Sequence, residues 1–206
     1  MLSLTPAAVA RDMAAHGAAV SAPQVIAWES GELLPSEREL TALARALWCS
    51  PGQLMGGRAR SIRDHRLALE LPLEDLARRL GLSPRVYSQM EAATRWEGNP
   101  DQTFLLAEAL DLTPYGLLLA TAREDDLRDV LARAVDGRWQ SQVKPVLQLL
   151  PTLHPEDVQR ALQVMHDEGQ AASAMWGSTV TVRPEDEPGA PAPQTPTERF
   201  WSLLPD

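Results

Sequence analysis

One stretch of the chain occurs twice. Ser-Ala-Pro-Gln-Val-Ile-Ala-Trp-Glu runs from Ser21 to Glu29, and Ser-Pro-Arg-Val-Tyr-Ser-Gln-Met-Glu runs from Ser83 to Glu91. The flanks match as well. Leu4 to Ala10 aligns with Leu71 to Ala77, and Leu40 to Leu47 aligns with Thr103 to Leu110. Each copy closes on a similar pentapeptide, Ser50 to Leu54 and Thr113 to Leu117. A repeat of this size marks one supersecondary unit used twice. The fold must therefore be assembled from two related small units.

The physics of one unit can be read from its second copy. Leu71, Leu73, Leu76 and Leu80 recur at helical spacing and make an apolar face. Gly81 permits the positive φ that ends a helix. Ser83 is a good N-cap and Pro84 suits the first helical position. Two helices therefore meet across a very short turn. A third, apolar helix spans Thr103 to Leu110, after Asn99-Pro100-Asp101. Ser50-Pro51 and Thr113-Pro114 start one more helix each. Each copy is a bundle of four to five short helices, about the smallest unit that buries its own core.

Around the repeat, the 206 residues divide into zones. Residues 1–57 and 58–122 hold the two copies. Residues 123–176 carry a different amphipathic pattern and read as a helical C-terminal region. Leu127, Val130, Leu131, Ala134 and Val135 form its first stripe. Val143, Val146, Leu147 and Leu150 form a second. A third helix begins near Pro155 with acid in its first turn. Residues 177–196 are rich in Pro, Gly and acid, and read as a disordered linker. Residues 197–206 regain apolar content in Phe200, Trp201, Leu203 and Leu204. Such a tail either docks onto its own fold or binds another chain in a groove. These four residues are the candidate partner-binding set, and self-docking is the preferred reading.

Composition excludes several classes. At 44% hydrophobic and 23% charged, the chain has the apolar material for real cores. No apolar run reaches the ~18–20 residues of a membrane span. Met1 to Ala10 shows no signal-peptide pattern. Cys49 stands alone, so there is neither an internal disulfide nor zinc-type spacing. A cytoplasmic location is expected. The basic residues are almost all arginine, Lys144 being the one lysine. With the abundant alanine this reads as GC-rich coding bias rather than chemistry. The net charge of −9 argues against a protein held on nucleic acid by bulk charge.

The helix, short turn, capped helix and trailing Leu-Ala segment resemble the helix-turn-helix of the Cro/C1, or xenobiotic-response-element, class. The second copy matches through Leu76-Ala77, Gly81, Ser83, Glu91 and Leu106-Ala107. The first matches through Val9-Ala10, Ser21, Trp28-Glu29, Gly31, Pro35 and Leu43-Ala44. Together they cover about 115 residues. The turn in copy 1 is longer, and copy 2 has extra residues from Ala92 to Gly98. Pro6 and Leu73 stand where the class often places a phosphate-holding glutamine.

The resemblance implies an all-α fold of two tandem lambda-repressor-like bundles followed by a small helical region. It implies sequence-specific binding of double-stranded DNA, transcriptional regulation in a bacterium, a place on the nucleoid and a homodimer on two half-sites. In this class the second helix of the motif lies in the major groove. Positions matching Val25, Trp28, Tyr87 and Met90 face the core. The outward set is then Arg85, Val86, Ser88 and Gln89 in copy 2. In copy 1 it is Ala22, Pro23, Gln24, Ile26 and Ala27. Arg pairs with guanine and Gln with adenine. Arg58, Arg60, Arg63 and Arg66 suit phosphate. The expected DNA-contacting residues are Gln24, Ser83, Arg85, Ser88, Gln89, Thr94, Arg95, Arg63 and Arg66. Glu29 and Glu91 read as structural, because a carboxylate near phosphate is unfavourable. Copy 2 reads as the main reader. The rival reading is a protein–protein adaptor that leaves DNA to another regulator.

Catalysis and metals find no support in the sequence. His16, His65, His154 and His166 offer no metal-binding pair at i, i+3 or i, i+4. There is no Gly-x-Ser-x-Gly, phosphate loop or dinucleotide fingerprint. Neither an enzyme nor a cofactor is expected.

Overall fold

A computed structural model describes residues 4–56, 59–176 and 194–205. Residues 177–193 of the expected linker, and Arg58 among the expected phosphate contacts, lie outside the described residues. Every regular element among the described residues is helical, so the fold is all-α as the sequence indicates. The chain divides into two units, Met1–Trp96 and Glu97–Asp206. The division falls inside the 58–122 stretch, after the helix that ends at Ala92.

The first unit holds seven helices: α1 (Pro6–Ala15), α2 (Ala22–Glu29), α3 (Glu37–Ala46), α4 (Pro51–Leu54), α5 (Ile62–Ala68), α6 (Leu73–Arg79) and α7 (Pro84–Ala92). The repeat fixes their starts and stops. At the end of α6, Gly81 takes φ +66°. Its N–H donates to Arg78 O and the Leu82 N–H donates to Ala77 O, the double bond of a Schellman cap. At the end of α1, Gly17 takes φ +85°, and the Gly17 and Ala18 N–H groups bond Ala14 O and Met13 O in the same pattern. Beyond each turn a serine caps the next helix. Ser83 Oγ accepts from the Val86 N–H at 3.3 Å, and Ser21 Oγ from the Gln24 N–H at 3.4 Å. The same turn chemistry therefore directs α1 into α2 and α6 into α7.

The core of copy 1 is small. Val9, Ala10, Met13, Ala18, Val25, Ala42 and Ala46 are buried together. Four of the seven are alanines, so α1, α2 and α3 approach closely with little side-chain volume between them. In α5 to α7 the buried set is Ile62, Arg66, Leu67, Leu76, Ala77, Leu80 and Tyr87. An arginine stands in that otherwise mostly apolar set.

The second unit begins with α8 (Pro100–Ala109) and α9 (Pro114–Ala120). It continues with α10 (Glu124–Asp136), a 3-10 turn (Trp139–Gln142), α11 (Val143–Leu149), α12 (Pro155–Trp176) and α13 (Pro196–Leu203). The stripe read from the sequence is its core. Leu127, Val130, Leu131 and Ala134 of α10 meet Val146 and Leu150, and Val158, Ala161, Leu162 and Met165 of α12. Phe200 of α13 completes this cluster. Helix α13 has a capping box: Thr195 Oγ1 accepts from the Glu198 N–H, and Glu198 Oε2 accepts from the Thr195 N–H at 2.8 Å. No single described helix is long and apolar enough to cross a membrane.

Candidate nucleic-acid interface

Helix α7 turns one side inward and one side to solvent. Tyr87 is fully buried and Met90 half-buried. Arg85, Val86, Ser88 and Gln89 are exposed, as the spacing from Ser83 anticipates. Arg85 and Gln89, four residues apart, lie on neighbouring turns of one helix face. Ser83 is exposed too, but its Oγ accepts the capping bond, which leaves its hydroxyl proton for an outside acceptor.

The inward side of α7 is held by charge. Arg66 of α5 is fully buried. Its Nε donates to Glu91 Oε1 at 2.8 Å, and its Nη2 to Glu91 Oε2 at 2.9 Å. This bidentate pairing is the strong form of a guanidinium–carboxylate bond. Arg66 Nη1 also donates to Leu71 O at 3.0 Å. Tyr87 Oη donates to Glu91 Oε1 at 2.5 Å. Glu37 Oε1, from α3, accepts from Arg66 Nη2 at 2.9 Å and from Arg63 Nε at 3.0 Å. Two guanidiniums thus face two carboxylates, and the cluster is formally neutral. Burial alone would pull Arg66 down, but the bonds to Glu91 and Glu37 outweigh it and hold its pKa above the ordinary value. Burial, reinforced by the bond to Glu91, pushes the Tyr87 phenol up. Burial would raise Glu37, yet the bonds from Arg66 and Arg63 hold it below the ordinary 4.5.

This geometry corrects the phosphate assignments on α5. Arg66 is no phosphate contact, because all three of its nitrogens are engaged inside the protein. Arg63 is half exposed but spends its Nε on Glu37. Glu91 is structural, as expected. Nothing in the sequence around Glu37 marks it as a site residue. Its partners lie 26 and 29 residues away, a separation that leaves no local pattern in the sequence. The signal for Arg66 was present: it stands four residues after buried Ile62 and one before buried Leu67, on the apolar face of α5.

On α2, Gln24 is exposed but constrained. Its Oε1 accepts from the Ser21 N–H at 2.9 Å and from Ser21 Oγ at 3.1 Å, closing a capping box. Both acceptor positions are spent, so Gln24 retains only its amide donors and cannot pair with adenine in the bidentate way. Ile26 beside it is 52% exposed and Ala27 half-buried.

Thr94 and Arg95 follow α7 and are exposed. Thr94 takes φ +50°, a left-handed conformation that is unfavourable for a β-branched residue. The Thr94 and Arg95 N–H groups bond Glu91 O and Met90 O, so this cap orders the backbone that leaves the helix.

The tail residues lie on the second unit itself. Phe200 is fully buried in its core, with Trp201, Leu203 and Leu204 packed against the same cluster. Trp201 meets Tyr115 edge-on at 5.5 Å. Arg199 Nε donates to Glu168 Oε2 at 3.0 Å and tethers α13 to α12. The Phe200 side chain, named above as partner-binding, is therefore not presented to another molecule. The aromatic pair needs an apolar seat, and α10 and α12 supply one.

Counting charges by unit separates the two. Residues 1–96 hold eleven arginines and ten acidic residues, for +1. Residues 97–206 hold eight basic and eighteen acidic residues, for −10. Among the described residues no cluster of three or more His, Cys, Asp or Glu is arranged to hold a metal ion. Comparison with protein-family models, curated proteins and solved structures gives no match.

Proposed function

We propose that the chain is a sequence-specific DNA-binding regulator of the Cro/C1 type, with two helix-turn-helix copies and with α7 as the principal reader. The observation that carries this reading is the α6–α7 pair. Two short helices meet across a Schellman turn and a serine cap. Arg85, Ser88 and Gln89 face outward while Tyr87 and Glu91 lock the inner side. Arg and Gln on one exposed face are the side chains that read guanine and adenine in a major groove. The near-neutral first unit supports the reading too, since the −10 resides in the other unit. Few released counterions would then leave a shallow salt dependence, with specificity resting on base contacts. A homodimer and a place on the nucleoid belong to the same proposal.

Crosslinking with immunoprecipitation across a genome tests it, with a mobility-shift assay on the motif recovered. A shared motif is expected, and Arg85→Ala with Gln89→Ala should weaken binding to it by about tenfold or more. If that pair leaves affinity unchanged while Gln24→Ala abolishes it, the order of the readers is reversed.

A specific observation favours the adaptor as second reading. Copy 1 exposes Ile26 at 52%, Leu34 at 88% and Trp48 at 95%. Apolar side chains at that exposure suit a protein interface. Absence of any enriched motif, together with capture of another regulator that requires Trp48, would select it.

A further inference from the structure

Within the first unit charge and packing tie α3 and α4 of copy 1 to α5, and α5 to α7. Glu37 opens α3, the helix after α2, and its carboxylate is held by Arg66 and Arg63 of α5 at 2.9 and 3.0 Å. Arg66 in turn grips Glu91 at the far end of α7. One linkage from copy 1 to α7 therefore passes through the buried Arg66 guanidinium. A second ion pair, Arg45 Nη2 to Glu70 Oε2 at 2.8 Å, joins α3 to the turn after α5. Helices α4 and α5 pack directly on each other. A Cβ built on Gly52 would stand 3.1 Å from the Ala68 Cβ, so glycine lets the two helices approach closely. Contacts at several separate points remove the freedom that a tether would leave.

Resting on the DNA-binding reading above, we infer that α2 and α7 recognise one composite duplex site, made of two elements at a single fixed separation, and that the α2 element is rich in thymine. Two readers on a flexible tether tolerate many spacings, because effective concentration falls only slowly with distance. A rigid joint does not. One inserted base pair moves the second element by about 3.4 Å and turns it by roughly 35° around the duplex axis. The base preference follows from what α2 offers. Gln24 can only donate, its oxygen being used in the cap, and Ile26 offers an apolar surface. Thymine presents an O4 acceptor and a methyl group side by side in the major groove, and so matches both.

The full chain is tested by selection from a pool of random duplexes, followed by sequencing. Two elements at one separation are expected, the weaker containing thymine. Inserting one base pair between them should lower affinity by about tenfold or more. Ile26→Ala should abolish enrichment of the thymine element and leave the other. Glu37→Gln should keep both elements and reduce the penalty for the inserted base pair. Enrichment of a single element, or of two elements at scattered separations, overturns this inference and leaves DNA binding by α7 standing. No enriched sequence at all removes the DNA-binding reading and the inference with it. The spacing measurement uses the unmodified chain, so it decides even if the Glu37 variant fails to fold.

Discussion

Arg66 and Glu91 form a two-pronged ion pair, at 2.8 and 2.9 Å, between α5 and the last turn of α7. The guanidinium is fully buried and the Glu91 side chain is only 5% exposed. Both groups have left water, and each depends on the other. Removing Glu91 strips the buried guanidinium of its two-pronged partner and leaves it only Glu37 and Leu71 O. Glu91→Ala should therefore cost about 3–5 kcal/mol, far more than an exposed pair such as Arg78–Asp75, whose worth is about 0–1 kcal/mol. Denaturant unfolding of the two variants Glu91→Ala and Asp75→Ala would check this. Equal losses would mean that the cluster does not bear on stability.

The same cluster sets a pH profile with two branches. Glu37 sits below its ordinary 4.5 in the fold. Its contribution is present above the unfolded value and is lost as pH falls below 4.5 towards the folded value. Tyr87 is raised above its ordinary 10.0. Its contribution is complete below the unfolded value and is lost as pH rises through 10. The melting temperature should decline on both sides of that range. In Tyr87→Phe the alkaline decline should diminish, at a cost of about 1.5–3 kcal/mol for the lost bond to a charged acceptor. An unchanged alkaline branch in Tyr87→Phe would assign it elsewhere.

Thr94 separates stability from recognition. A left-handed residue with a Cβ costs about 1–2 kcal/mol, and glycine is relieved of that cost. Thr94→Gly should raise the melting temperature. If it lowers duplex affinity at the same time, the hydroxyl contacts DNA. If both rise or affinity stays level, the residue serves only the helix end. A fall in melting temperature would contradict the backbone argument.

Phe200 closes the core of the second unit, so Phe200→Ala should destabilise that unit by about 3–5 kcal/mol. Calorimetry should show the loss in one transition and leave the other unmoved. Loss of heterologous binding with unchanged stability would instead return the tail to the role of a partner-binding segment.

Much of this was legible because two local periodicities and a repeat agreed. Val25 and Tyr87 occupy equivalent places, and both are buried. Gly81 announced the turn and Ser83 the cap, and the repeat carried both to Gly17 and Ser21. What escaped was long-range or conformational. Residue type alone points Arg66 to phosphate, although its spacing from Ile62 puts it on the inner face. Glu37 gave no signal, because nothing near it in the chain anticipates Arg63 and Arg66. The capping box that spends the Gln24 oxygen depends on a side-chain rotamer, which composition does not encode. The left-handed ends at Trp48, Glu70, Thr94, Asp111 and Ala122 carry no glycine to reveal them. The aromatic tail announced a need for burial, but its seat between α10 and α12 is a property of the assembled core.

The place of Phe200 in that core has a consequence for biosynthesis. The side chain that seals the second unit is made roughly a hundred residues after Trp96 ends the first. At about 5–20 residues per second, the first unit has about 5–20 s to fold before the other core can be completed. During that interval the apolar stripes of α10 and α12 lie uncovered by their last partner. The nascent chain is then a finished first unit followed by an unfinished, strongly acidic one, and a ribosome stalled short of Phe200 would present an aggregation-prone intermediate.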